Sequence, residues 1–85
     1  MREADYYAKE AERHERDAQY YDRKAERHLQ NAQYYSRRHD DRQARTYTRW
    51  AKEAEDKARQ RRRWAEQARE KSRLRLRWAE EEMRR

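Results

Sequence analysis

The sequence predicts an all-α fold: an antiparallel two-helix hairpin, with helices over about 2–38 and 41–84, as a single domain spanning 1–85. Three observations carry this. The chain has no Gly and no Pro, and 51% of it is charged; Gly and Pro break helices, whereas the Ala, Arg, Glu, Lys and Gln that dominate here are the strongest helix formers. Alanine recurs every seventh residue, the spacing of a left-handed coiled-coil seam. Val and Ile are absent and no stretch alternates with period two, so nothing supports a strand. High charge with low hydropathy is also the signature of disorder, but a disordered chain has no reason to keep a periodic stripe.

The first helix carries Ala4, Ala11, Ala18, Ala25 and Ala32 in unbroken seven-residue steps. Beside them runs a stripe that reads Tyr7, His14, Tyr21, His28, Tyr35, and next to it the tyrosines Tyr6, Tyr20 and Tyr34. Small and large residues thus alternate along one seam: alanine lets a neighbouring helix approach, and the ring fills the space beside it.

The bend is expected at 38–41. From Ala32 to Ala44 the alanine series skips out of phase, so a continuous helix would lose its seam there. Within "SRRHDDRQ", Asp40 followed by Gln43 has the pattern of a capping box, and Asp41 adds an acid to the first turn of the next helix. Without glycine, His39 or an aspartate must take the left-handed turn conformation.

The second helix repeats Ala44, Ala51, Ala58, Ala65, Ser72 and Ala79, beside Trp50, Lys57, Trp64, Lys71 and Trp78. Index sums then predict the levels of the hairpin. Tyr35 with Trp50, Tyr21 with Trp64 and Tyr7 with Trp78 share one total, which predicts three Tyr/Trp layers separated by two levels pairing His28 with Lys57 and His14 with Lys71. Helical i,i+4 ion pairs are expected at Asp5/Lys9, Glu12/Arg16, Glu53/Lys57, Glu55/Arg59 and Glu80/Arg84.

Two helices touching along one stripe bury little apolar surface, so association into a four-helix bundle is expected, as a homodimer. The expected interface and core residues are Ala4, Tyr7, Ala11, His14, Ala18, Tyr21, Ala25, His28, Ala32, Tyr35, Trp50, Ala51, Ala58, Trp64, Ala65, Trp78 and Ala79. With its 14-residue repeats and regular layers, the chain resembles an idealised, de novo designed helical bundle or coiled coil. It departs from that style in its core, where leucine and isoleucine would be usual and Leu29, Leu74 and Leu76 are the only branched aliphatics.

These patterns point to a structural, self-assembling module and not to an enzyme. No catalytic site, metal or cofactor is expected, because no carboxylate pair, nucleophile with a base, or glycine loop stands out. Without cysteine there is neither a disulfide nor a thiolate site. The alternative is an RNA or DNA binder. Net charge is +7, and residues 57–77 hold ten Lys or Arg against two acids. On this reading Arg59, Arg61, Arg62, Arg63, Arg69, Arg73, Arg75 and Arg77 meet nucleic acid or another polyanion, largely without sequence preference. A third reading puts a metal or haem on His14 and His28 across a dimer; the two lie about 21 Å apart along one helix, too far to share an ion within a chain. A membrane partner is not expected, and the lack of a long apolar run predicts a cytoplasmic protein.

Overall fold

The computed structural model describes residues 2–84. It is all-helical, with α1 at Arg2–Arg37 and α2 at Asp41–Arg84 packed against each other as a hairpin. The bend takes residues 38–40, within the expected segment.

Local chemistry closes this bend without glycine. The amide of Asp40 donates to the carbonyl of Tyr35 at 3.0 Å and that of His39 to Ser36 at 3.0 Å. This is the Schellman pattern that satisfies the orphan carbonyls of a helix end. Its left-handed residue is His39, at φ 61°. Asp40 then caps α2, its Oδ1 accepting from the amide of Gln43 at 3.3 Å. Half of the expected capping box is therefore present; the Asp40 amide serves α1 instead of the Gln43 side chain.

Alanine forms the seam. Ala4, Ala11, Ala18, Ala25 and Ala32 of α1 and Ala51, Ala58 and Ala65 of α2 are all buried. So are Ala54 and Ala68, and Ser72 takes an alanine position with its hydroxyl donating to the Ala4 carbonyl at 2.9 Å. Ala79, expected at the interface, is half-buried. No large side chain is fully buried among the described residues. Ala54 and Ala68 had a signal in the sequence: "AKEA" and "AEQA" each place a second alanine three residues after a seam alanine, on the same helix face.

The register differs from the expected one. His28 meets Trp50, His14 meets Trp64, Lys57 lies over Tyr21 and Lys71 over Tyr7. Each of these pairs has indices totalling 78, where the Tyr/Trp layers require 85. The difference is one heptad, a relative slide of about 10.5 Å. The levels are thus Tyr with Lys and His with Trp, in place of Tyr with Trp and His with Lys. The three-residue connection between Arg37 and Asp41 centres the hairpin near residue 39 and leaves no slack for the other register.

The molecule is long and thin, 70 × 12 × 12 Å between Cα extremes, with a radius of gyration of 19.5 Å. A compact domain of this length has about 12 Å.

Candidate interaction surface

The two flanks of the seam differ in chemistry. At 100° per residue, Tyr7, His14, Tyr21, His28 and Tyr35 lie to one side of the α1 alanines, with Tyr6, Tyr20 and Tyr34 further round on that side. Trp50, Lys57, Trp64, Lys71 and Trp78 flank the α2 alanines on the same side. Glu15 and Asp22 of α1 and Arg62 and Arg69 of α2 lie on the opposite flank. One face of the ribbon therefore carries the aromatic rings together with the Arg61–Asp17 and Arg75–Glu3 pairs, and the other carries the Arg62–Asp22 and Arg69–Glu15 pairs.

On the aromatic face, rings and cations touch in an alternating order. Tyr6, Tyr20 and Tyr34 each meet the next tyrosine edge to face, with centroids 5.3, 5.3 and 5.1 Å apart. Lys57 lies 5.6 Å above the Tyr21 ring and Lys71 5.5 Å above Tyr7. One heptad along, His14 meets Trp64 edge-on at 5.5 Å and His28 meets Trp50 at 5.7 Å. Arg61 stacks on Trp64 and Arg75 on Trp78, each at 4.8 Å. Near the bend Tyr47, which the sequence reading passed over, replaces the arginine and stacks on Tyr35 at 5.5 Å with the ring planes 7° apart. By helix position the face is a checkerboard: Tyr, His, Tyr, His, Tyr down α1, beside Lys, Trp, Lys, Trp at the same levels of α2.

These rings are not covered. Trp50, Trp64 and Trp78 are 41%, 37% and 50% exposed, and Tyr6, Tyr20 and Tyr34 are 58%, 54% and 47% exposed. The tryptophans therefore do not form a core of the single hairpin as expected; Tyr7, Tyr21, Tyr35, His14 and His28 are half-buried. Alanine on both sides of the seam brings the backbones close, and rings flanking such a seam are pushed outward. A hollow of about 290 Å³ lies between Tyr21, His28, Trp50 and Lys57, and one of about 340 Å³ lies beside Trp78 and Ala4. The Nδ1 atoms of His14 and His28 are shielded from solvent and have no hydrogen-bond partner. The same feature at both levels belongs to the 14-residue repeat.

Ion pairs tie the two helices together. Arg62 pairs with Asp22, Arg69 with Glu15 at 3.1 Å, Arg61 with Asp17 at 3.6 Å and Arg75 with Glu3 at 3.2 Å. The remaining pair among the described residues is Arg59 with Asp56, one turn apart on α2. None of the five expected i,i+4 pairs is among them: Arg59 takes Asp56 instead of Glu55, and the other long side chains reach across the seam or into solvent. The hydrogen bond to Asp22 raises the Arg62 guanidinium above its ordinary range, partly offset by desolvation. A raised folded pKa contributes stability below the unfolded value, so the contribution of Arg62 is unchanged across neutral pH and is lost only in strong alkali.

Five of the eight arginines expected to meet nucleic acid are thus held in these pairs, while Arg63, Arg73 and Arg77 take part in no ion pair among the described residues. His14 and His28 sit on separate levels, and no group of three or more His, Cys, Asp or Glu able to hold a metal is found among the described residues. No described helix is long and apolar enough to cross a membrane. Comparison with protein-family models, curated proteins and solved structures finds no match to this chain.

Proposed function

We propose that this protein is a structural module that associates with further copies of itself through the aromatic face. The observation that carries this reading is the mismatch between what the hairpin buries and what it leaves open. Its core is alanine with one serine, yet ten aromatic rings line one flank. The accessible surface is 7375 Å², whereas a compact monomer of 10.9 kDa exposes about 5,600 Å². The excess, roughly 1,800 Å² per chain, matches what one subunit buries in an obligate dimer. A face of exposed aromatic rings on this scale, interleaved with cations, is what an interaction site uses.

The nucleic-acid alternative has less support. Four of its eight arginines pair with Asp or Glu of α1 and a fifth with Asp56, and at those positions a phosphate would have to displace the carboxylates.

Sedimentation equilibrium with far-UV circular dichroism tests the proposal. A strongly helical dimer or larger species at micromolar concentration is the expected result. A chain that stays monomeric up to about 100 μM, whether helical or not, would overturn it, since an interface of this size gives at least micromolar affinity.

A further inference from the structure

From the checkerboard we infer how two copies meet: side by side in the same direction, related by a twofold axis along the hairpin, with α1 of each aromatic face lying over α2 of the other. This arrangement presupposes the self-association proposed above and specifies its geometry.

Such an axis leaves every residue at its own level. Each Tyr21/Lys57 level then becomes a square of alternating corners: Tyr21, Lys57, the partner's Tyr21, the partner's Lys57. The Tyr7/Lys71 level behaves in the same way. At the levels between, His14 faces the partner's Trp64 and His28 the partner's Trp50. Each lysine lies between two tyrosine rings and the two lysines occupy diagonal corners, their greatest separation. Each ring thereby gains a second cationic or imidazole neighbour of the type it already touches within its own chain.

The opposed arrangements are less favourable for stated reasons. With the copies antiparallel, α1 lies over α1 and α2 over α2. In register, this puts the lysine levels, or equally the tryptophan levels, directly against each other. Staggered by one level it restores the alternation, but the α2 helices remain adjacent. Residues 2–37 hold eight acidic and eight basic residues, a net of zero; residues 41–84 hold nine acidic and fifteen basic, a net of +6. The twofold along the axis places each basic helix over a neutral one, and like charges on facing helices are avoided. Adjacent helices are antiparallel in either arrangement, so the macrodipoles favour neither and the charge of the facing helices decides.

The direction is read from a spin label at Arg42→Cys, an exposed position in the first turn of α2; the chain has no other cysteine. Copies that run together place the two labels at the same end, within about 35 Å. Antiparallel copies place them about 60 Å apart at 1.5 Å per residue. The face is read from Tyr20→Arg, which adds one more cation per chain beside the Tyr21/Lys57 square, where Lys24 already lies over Tyr20, with circular dichroism confirming that the helices persist. At least about a tenfold weakening of the dimer is expected, while Glu66→Gln on the outer side of α2 leaves it unchanged. A dimer whose labels lie beyond about 40 Å, or one indifferent to Tyr20→Arg, overturns this geometry and leaves self-association standing. A monomer overturns both.

Discussion

Replacing Ala65 by leucine tests whether the alanine seam holds the hairpin together. Ala65 is 0% exposed and packs with Ala11 and Ala68. Leucine adds three carbons where the backbones already touch through methyl groups, and the open cleft beside Ala11 is lined by Ala8, Glu12, Arg69, Ser72 and Arg73 and not by Ala65. Overpacking of this kind costs about 1–3 kcal/mol. The helices can relieve it only by separating, which stretches the Arg69–Glu15 and Arg61–Asp17 pairs, each half-exposed and worth about 0.2–1 kcal/mol. A net loss of about 2 kcal/mol follows. With an unfolding entropy of about 2.1 cal/mol/K per residue, or about 180 cal/mol/K for this chain, Tm falls by about 11 °C. Thermal unfolding followed by circular dichroism measures it, at one fixed protein concentration because association makes Tm concentration-dependent. The exposed Glu66→Leu, one residue away, is the control and should shift stability by less than about 0.5 kcal/mol. If Ala65→Leu melts at or above the wild-type temperature, added apolar surface outweighs crowding, the helices do not meet through alanine, and the reasoning fails.

The bend and the register offer further checks by urea unfolding. Asp40→Ala removes the cap on the Gln43 amide and should lower stability by about 1 kcal/mol. His39→Gly relieves a left-handed conformation at φ 61° and should raise it, by up to about 1 kcal/mol; a loss would mean that the turn is not left-handed there. Ser72→Ala loses the bond to the Ala4 carbonyl but keeps the seam, so a decrease of about 1 kcal/mol is expected, and one above 3 would show that Ser72 does more than pair with α1. Asp17→Lys opposes Arg61 and should destabilise by up to about 1 kcal/mol, with Arg61→Glu in the same chain restoring most of it. No restoration would place the two residues at different levels.

Much of the fold was legible because its signals are local. The absence of Gly and Pro with strong helix formers throughout implies helix, and the phase break between Ala32 and Ala44 implies two. His39, Asp40 and Gln43 mark the bend because a helix end must satisfy its own carbonyls and amides from nearby residues. The alanines of the seam follow from a seven-residue period. The candidate surface was only half legible. Its rings and cations repeat visibly, but which side of the seam they share, and that the tryptophans stay exposed, depend on how closely the alanines let the backbones approach.

What the sequence by itself determined is the seam and the place where the chain turns. What only the tertiary structure decided is the register. Alanine repeats every seven residues and the large side chains every fourteen, so sliding α2 by one heptad keeps every alanine contact while exchanging Tyr/Trp levels for Tyr/Lys ones. No count of seam residues distinguishes the two. The three-residue Schellman turn at 38–40 does, because a connection that short fixes which residues stand level, and with that it sets aromatic beside cation along the whole face.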